Sequence, residues 1–284
     1  MINSEINIPI FYGNADGNSF LIFDCINYQG SQEVLYAFVR NFHKQYSYDK
    51  VDTCLIVNLE GLNDLHMDVN LYLVEKDFEG ANSFCGNGCR ILAHYLYENY
   101  LDYSSFSVVY NEHIIPLIKN KEKFGVCLNK DYFFDKQQVF YTQSSNMFLL
   151  PEYNLSFFYN YIFEPHLITF VALSEKEITE IGNYIQEKYT MYFPFGVHVN
   201  TVSLSRYNEL TILTYEKGAR RTTKACRTGS ITAVHKAKQL QMLDNTLIDI
   251  QVKSTGGTIH VQEINNLFYL YGTTCIERVI ELTQ

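Results

Sequence analysis

The stretch Phe84-Cys85-Gly86-Asn87-Gly88-Cys89-Arg90 carries the strongest structural signal in this chain. It sets a cysteine between a strand-like segment and an apolar run with helical spacing. A second stretch, Lys224-Ala225-Cys226-Arg227-Thr228-Gly229-Ser230, has the same arrangement, with a glycine three residues after the cysteine and an apolar helical run beyond it. We therefore predict two cysteines, each at the first turn of a helix, that act on one substrate.

The regions around the two cysteines show the same order of predicted elements: strands, a helix, strands, the cysteine, a second helix and more strands. The first helix is predicted over Ser31 to Tyr46 in one half and over Ser174 to Tyr189 in the other. Near the amino terminus, turn-forming residues from Gly13 to Ser19 separate two short apolar runs, which predicts a strand, a loop and a strand. The chain is therefore predicted to consist of two strand-rich halves, each with one central helix.

The composition narrows the class of protein. With 284 residues, of which 47% are hydrophobic and 19% charged, the chain is predicted to be globular throughout. The net charge of −9 and the lack of a basic stripe argue against nucleic acid as a partner. No window reaches the roughly 18 to 20 apolar residues that span a bilayer, and the first residues do not resemble a signal peptide. We expect no membrane association and a cytoplasmic location.

Cysteine usage points to reduced thiols rather than to disulfides or a metal. Seven cysteines, an odd number scattered along the chain, do not resemble a disulfide framework. Cys85 and Cys89 lack a second close pair and a histidine at a zinc-like offset, so no metal is expected. A cysteine at a helix start has its thiolate stabilised by unpaired N–H groups and by the helix dipole, which lowers its pKa. The same N–H groups can bind a carboxylate.

Two such cysteines fit a racemase or epimerase with two bases. In that chemistry a thiolate removes the α-proton of an amino acid from one face, and a thiol on the opposite face returns a proton. No cofactor is needed. Each cysteine alone has a simpler interpretation as a small buried hydrophobic residue, with Gly86 and Gly88 serving only a tight bend.

Several motifs resemble those of the diaminopimelate epimerase family of cofactor-independent amino-acid racemases and epimerases. Cys85 to Arg90 and Tyr215 through Gly229 are similar to its two catalytic boxes. Further motifs match in the family's order: Gly17 to Phe20, Pro165-His166, Phe193 through Asn200, and Gly272-Thr273-Thr274. The resemblance implies an α+β fold of two pseudo-symmetric, strand-rich domains, each a barrel-like sheet around a central helix. The implied domains are residues 1–129 plus 272–284, with Cys85, and residues 130–271, with Cys226.

The resemblance also implies roles for individual residues. Cys85 and Cys226 correspond to the acid/base pair, and His166 and Glu216 to groups that tune their pKa values. The residues implied to bind the substrate, partly through backbone N–H groups at 86–87 and 227–228, are Asn18, Thr53, Gly86, Asn87, Glu164, His198, Asn200, Glu216, Lys217, Arg227 and Thr228. The implied partner is a small amino-acid substrate, the implied assembly is a homodimer, and neither a cofactor nor a metal is implied.

Departures from the family pattern collect at the positions that hold the far end of diaminopimelate. Glu164 and His198 each replace an Asn, Lys217 replaces an Arg, and Thr53 replaces a Gln. Lys lacks the planar fork with which Arg grips a carboxylate. Glu164 beside Glu216 would suit a cationic or imidazole side chain, so histidine, lysine and ornithine are alternatives to diaminopimelate.

Position 227 departs from the family as well, because Arg227 replaces a Gly. An arginine there leaves backbone binding intact where its φ is negative.

Three other classes of protein stay open. A phenazine-biosynthesis type isomerase shares the architecture but lacks the paired cysteines. A hydroxyproline epimerase or dehydratase of the proline-racemase group keeps one or both of them. A binding protein that has lost the chemistry is the third alternative, although it has no use for two thiols.

Overall fold

The computed structural model describes residues 8–44, 51–75, 79–80, 84–110, 112–133 and 147–279. The chain divides into two compact units, one of Met1–Cys127 with Gly272–Gln284 and one of Leu128–Tyr271. Both units are strand-rich with sheets of mixed strand direction, and the described residues contain four α-helices.

The first unit contains two helices and most of the first eight strands. The helices are α1 (Gln32–Phe42) and α2 (Gly86–Asn99). The strands are β1 (Ile10–Ala15), β2 (Asn18–Asp24), β3 (Thr53–Asn63), β4 (His66–Glu75), β5 (Glu79–Gly80), β6 (Ser105–Tyr110), β7 (His113–Asn120) and β8 (Lys123–Asn129).

The second unit has two helices of its own, and the chain then returns to the first unit. The helices are α3 (Glu175–Lys188) and α4 (Arg227–Gln239). The strands are β9 (Met147–Leu150), β10 (Leu155–Ile162), β11 (Glu164–Thr169), β12 (His198–Arg206), β13 (Glu209–Glu216), β14 (Arg221–Thr223), β15 (Asp249–Ser254), β16 (Gly257–Ile264) and β17 (Leu267–Gly272). The returning strand is β18 (Thr274–Val279).

In the first unit the hydrogen-bonded strands follow the order β18, β1, β2, β3, β4, β6, β7 and β8, with β5 also on β4. Neighbours are antiparallel except for β2 with β3 and β4 with β6. Parallel neighbours need a crossover, and α1 and α2 supply the two crossovers. Because α2 contacts β18 and β1 near one end of this order and β6 and β7 near the other, the sheet bends around α2.

The second unit has the same topology. Its strand order is β9, β10, β11, β12, β13, β15, β16 and β17, with β14 also on β13. The parallel pairs are β11 with β12, crossed by α3, and β13 with β15, crossed by α4. α4 contacts strands from β10 to β16, so it takes the place that α2 has in the first unit.

The four helices fall into two kinds, which explains their different sequence patterns. Almost every residue in the first three turns of α2 and α4 is buried, as expected for helices surrounded by a sheet. α3 instead buries one stripe, formed by Ile178, Ile181, Gly182 and Ile185. A Cβ at Gly182 would lie 2.4 Å from the Tyr215 ring, so the absence of a side chain there lets α3 pack closely on β13.

Some boundaries differ from the sequence predictions. The predicted loop from Gly13 to Ser19 is mostly strand, because Asp16 (φ 49°) and Gly17 (φ 82°) alone make the turn between β1 and β2. Two positive φ angles are typical of the type I′ turn, which matches the twist of a hairpin. α1 ends at Phe42, and the last two residues of its predicted range, 45–46, lie outside the described residues. None of the helices in the described part of the chain is long and apolar enough to cross a membrane.

Candidate active site

Cys85 occupies the N-cap position of α2, with extended backbone angles (φ −114°, ψ 100°). Its Sγ accepts a hydrogen bond from the Gly88 N–H at 3.2 Å. A Cβ at Gly88 would lie 3.3 Å from Cys85 Cβ and 3.4 Å from Sγ, so glycine gives the thiol room at the helix end. Gly86 and Asn87 are the first two residues of α2, so their N–H groups point out of the end of the helix. The cysteine therefore lies at a helix start, as its sequence context predicts, and its thiol is partly exposed.

A buried arginine anchors the first turn of α2. Arg90 has no exposed surface, and its Nη1 donates to Asp16 Oδ2 at 2.5 Å and to Asn87 Oδ1 at 3.2 Å. Its Nη2 donates to the Thr273 carbonyl at 2.9 Å. Burial lowers the pKa of Arg90, while Asp16 opposes that shift. A Cβ at Gly272 would lie 2.1 Å from Nη2, so the guanidinium requires glycine there. Arg90 thereby joins the start of α2 to the β1–β2 turn and to the residue before β18.

Asn18 and Thr53 lie at the first residues of the strands β2 and β3. The N–H and hydroxyl of Ser19 donate to Asp52 Oδ2 at 2.8 and 2.9 Å, and the Asp52 N–H donates to Ser19 Oγ at 3.0 Å. These bonds tie the two strand starts together. Further along β3, Leu55 lies 3.3 Å from where a Cβ at Gly88 would be, so the start of α2 packs against the same strand.

Cys226 occupies the N-cap position of α4 (φ −106°, ψ 117°) and is buried. Burial raises the pKa of its thiol well above the ordinary range, and the Glu216 carboxylate adds to this. The Thr228 hydroxyl and the Gly229 N–H oppose the shift. The sequence-based expectation of a lowered pKa is therefore wrong for Cys226, because burial outweighs the helix start. At neutral pH this cysteine is a thiol.

Glu216 ends β13 and faces the same sulfur. Burial raises the pKa of its carboxyl, and His198, Thr223 and the Cys226 thiol act in the opposite direction. Because the Cys226 thiol is a hydrogen-bond partner of Glu216, the carboxylate is placed to accept a hydrogen bond from the S–H group.

His166 has no exposed surface and connects the Cys226 region to the sheet. Its Nε2 lies 3.0 Å from Thr228 Oγ1, which in turn lies 3.5 Å from Cys226 Sγ. Its Nδ1 lies 3.3 Å from Asn200 Nδ2. Burial lowers the pKa of His166 well below its usual range, so the ring is neutral.

Glu164, His198 and Lys217, three of the positions that depart from the family pattern, form one ionic cluster. His198 Nε2 lies 2.5 Å from Glu164 Oε2, and Lys217 Nζ lies 3.4 Å from Glu164 Oε1. Burial alone would raise the pKa of Glu164, but His198 and Lys217 lower it to about 2. The rings of His198 and His166 stack with their centroids 4.8 Å apart. His198 Nδ1 is buried and has no hydrogen-bond partner within the described part of the chain.

The ion pairs of Glu164 bear on the prediction of a cationic or imidazole substrate side chain. Both oxygens of Glu164 already face basic side chains, those of His198 and Lys217. The prediction that Glu164 and Glu216 together suit a cationic or imidazole side chain therefore depends on Glu216 more than on Glu164. Within the described residues, the ring nitrogen Nδ1 of His198 is the atom of this cluster that remains available to hydrogen-bond a substrate.

Two further predicted site residues have buried side chains. Arg227 is the first residue of α4 and is absent from the residues with positive φ, so its backbone N–H can act as the resemblance implies. Asn200, predicted to bind substrate, has no exposed surface, and its amide contacts Thr214, Leu167 and His166. Its side-chain amide contacts Nδ1 of the His166 ring.

The predicted residues thus form two sets. The first unit holds Asn18, Thr53, Cys85, Gly86 and Asn87, and the second holds the rest. Sequence reasoning missed the Arg90–Asp16 ion pair, the Ser19–Asp52 link and the role of Thr214. Arg90 had one signal, a charged residue directly before the apolar run of a predicted helix, whereas a threonine on a strand gives none.

Comparisons with known proteins agree with this geometry at the level of the fold. No family model matches the chain. A diaminopimelate epimerase from Methanothrix thermoacetophila is 24% identical over 208 residues, covering 72% of each protein. Another from Hydrogenobaculum sp. is 25% identical over 275 residues, covering 92% of this chain and 93% of that protein.

Solved structures extend the similarity. A phenazine biosynthesis protein of the PhzF family from Enterococcus faecalis superposes with a TM-score of 0.62 at 12% identity, covering 95% of this chain and 97% of its own. A hydroxyproline epimerase from Agrobacterium vitis superposes with a TM-score of 0.64 at 8% identity, covering 97% and 93%. The chain has the fold of these proteins. Because the two sequence relatives are named diaminopimelate epimerases, the comparisons are consistent with an isomerase.

Proposed function

We propose that this protein is a cofactor-independent amino-acid epimerase or racemase that inverts an α-carbon by a two-base mechanism with Cys85 and Cys226. The observation that carries the proposal is that each cysteine is the N-cap residue of the buried central helix of its unit. One cysteine at a helix start could occur by chance. Here the two units have the same order of strands and helices, and a cysteine stands at the equivalent position in each.

The proposed reaction uses the two helix starts in two ways. Backbone N–H groups in the first turns bind the substrate carboxylate and stabilise the negative charge that grows on it as the α-proton leaves. Because Cys226 is a thiol at neutral pH, it is the acid in the first half-reaction, and Cys85 is the base. Cys85 gains the α-proton and becomes a thiol, while Cys226 gives its proton to the opposite face of the carbon and becomes a thiolate. Turnover in the reverse direction, or proton exchange, restores the starting state.

The proposed substrate is diaminopimelate, converted from the LL to the meso isomer. Two relatives named diaminopimelate epimerase support the choice, because they align with this chain at low identity over most of their length. In this assignment Lys217 binds the distal carboxylate as a point charge, and His198 Nδ1 hydrogen-bonds the distal end.

A racemase of another amino acid, such as histidine or a basic amino acid, is the second candidate. His198 Nδ1, which has no hydrogen-bond partner among the described residues, favours a side chain that brings its own hydrogen-bonding atom. Among these substrates imidazole is favoured over ammonium, because Glu164 already pairs with His198 and Lys217.

Proton exchange tests the proposal directly. The enzyme is incubated in deuterated water with diaminopimelate isomers, histidine, lysine, ornithine or hydroxyproline, and the α-proton signal is followed by NMR. A two-base enzyme places deuterium in the inverted product while the remaining substrate still carries protium at early times. Cys85→Ala and Cys226→Ala should each abolish inversion.

The matched control is Cys275→Ala, since Cys275 is an exposed cysteine on β18. This variant should exchange like the wild type. Inversion that survives in both Cys85→Ala and Cys226→Ala sinks the two-base proposal, and loss of water from hydroxyproline would identify a dehydratase instead.

A further inference from the structure

The hydrogen bonds behind Cys226 form a chain whose direction is decided by one backbone group. Asn200 Nδ2 lies 3.0 Å from the Leu167 carbonyl, which can only accept, so the amide nitrogen must lie on that side. The amide oxygen then accepts from the Thr214 hydroxyl at 2.8 Å. The same Nδ2 lies 3.3 Å from His166 Nδ1, and as a donor it makes that ring nitrogen the acceptor.

This assignment decides the tautomer of His166. The buried ring is neutral and carries a single N–H. With Nδ1 as an acceptor, the proton is on Nε2, which donates to Thr228 Oγ1 at 3.0 Å. The Thr228 oxygen therefore accepts from His166, and its own proton can face Cys226 Sγ at 3.5 Å.

We propose that Asn200 is a positioning residue that, through His166, directs the Thr228 hydroxyl proton at the sulfur of Cys226 and so stabilises its thiolate. The direction matters once Cys226 has given up its proton, because a thiolate can only accept. With the other tautomer, Nε2 would be an acceptor and would draw the Thr228 proton away from the sulfur.

The charged groups around Cys226 show why this donor is needed. Glu216 on β13 and Glu164 on β11 both disfavour the thiolate, and burial disfavours it more than either. His198 on β12 and Lys217 pair with Glu164, while His166 is neutral. The Thr228 hydroxyl and the Gly229 N–H are the groups that favour the thiolate.

The packing of Asn200 excludes a direct role on the substrate. Its side chain has no exposed surface. A Cβ at Gly229 would lie 2.6 Å from Asn200 Oδ1, so the amide lies directly against the first turn of α4. This close approach requires glycine at 229, and it keeps the Asn200 amide in contact with the His166 ring. The benefit to catalysis rests on the proposed function, but the hydrogen-bond direction itself does not.

The first experiment measures the tautomer by NMR of the ¹⁵N-labelled histidine ring. Wild-type His166 should show the Nε2–H form. Asn200→Asp replaces the donor by an acceptor and should give the Nδ1–H form. Thr214→Val removes a bond to the amide oxygen but leaves the Leu167 carbonyl in place, so it should keep the Nε2–H form. An Nδ1–H or doubly protonated ring in the wild type would overturn the proposal.

The second experiment measures the reactivity of Cys226 in a Cys85→Ser background. Reaction with 2,2′-dithiodipyridine is followed by mass spectrometry of the peptide that contains Cys226. Loss of a hydrogen bond to a charged group shifts a pKa by about one to two units. Because the sulfur also becomes more nucleophilic as its pKa rises, Thr228→Val should react about three- to fifteenfold more slowly.

Thr228→Ser keeps the hydroxyl and should react within about twofold of the Thr228 protein. The Thr/Val pair has nearly the same shape, so the comparison remains valid where Asn200→Asp fails to fold. A Thr228→Val protein that reacts as fast as its parent refutes the proposal. Absence of amino-acid proton exchange would refute the proposed function instead, since neither the tautomer nor the thiol reactivity depends on a substrate.

Discussion

Removal of the buried cation at Arg90 should destabilise the first unit strongly. Arg90 has no exposed surface, and its partner Asp16 has a side chain that is 3% exposed. Arg90→Met fills much of the same volume but leaves the Asp16 carboxylate buried without its cation. It also removes the donors to Asn87 and to the Thr273 carbonyl.

The magnitude follows from the burial of both partners. Breaking a buried ion pair on one side costs about 3–5 kcal/mol, because an uncompensated charge is left behind. Asp16→Asn in the same chain removes that charge, and asparagine tolerates the positive φ of 49° at this position. The double variant should therefore be more stable than Arg90→Met, with a coupling free energy of about 1–3 kcal/mol.

Hydrogen exchange followed by mass spectrometry suits this test, because two compact units need not unfold in one step. Peptides from α2 and from the β1–β2 hairpin report the local free energy of opening. Arg206→Met, at the exposed end of β12, is the matched control and should change stability by less than about 0.5 kcal/mol. A loss below about 1 kcal/mol for Arg90→Met, or additive effects of the two substitutions, would refute this reasoning.

Two further predictions concern the second unit. Ser174→Ala removes the capping box with Glu177 and should destabilise α3 by about 1 kcal/mol. Hydrogen exchange in α3 should therefore be faster in this variant, and unchanged protection of α3 would contradict the prediction. Glu164 has a pKa lowered to about 2 from an ordinary 4.5, so its contribution to stability is present above pH 4.5 and is lost as the pH falls towards 2. Glu164→Gln should therefore lower the thermal midpoint at pH 6, and its difference from the wild type should shrink between pH 4.5 and pH 2; a constant difference would count against the ion cluster.

Much of this architecture was accessible from periodicity and turn chemistry. α3 occupies Glu175–Lys188, within the range Ser174 to Tyr189 that its apolar spacing predicts, and it begins after Ser174, a residue type that caps helices. The turn between β1 and β2 is shorter than the predicted loop from Gly13 to Ser19, because Asp16 and Gly17 alone make it with positive φ angles while their polar neighbours pair as strand.

The sequence by itself determined that a cysteine begins the buried helix in each half, because Cys85 and Cys226 stand directly before helical apolar runs and short glycine turns. Only the tertiary structure decided the electrostatics around them. Glu164 looked like a free negative charge until β11 and β12 set it beside His198, and Cys226 looked activated until its burial was known. Charge and pKa depend on distance and on solvent, and neither is local in sequence. The direction of the Asn200–His166–Thr228 chain is likewise decided by a carbonyl on a neighbouring strand.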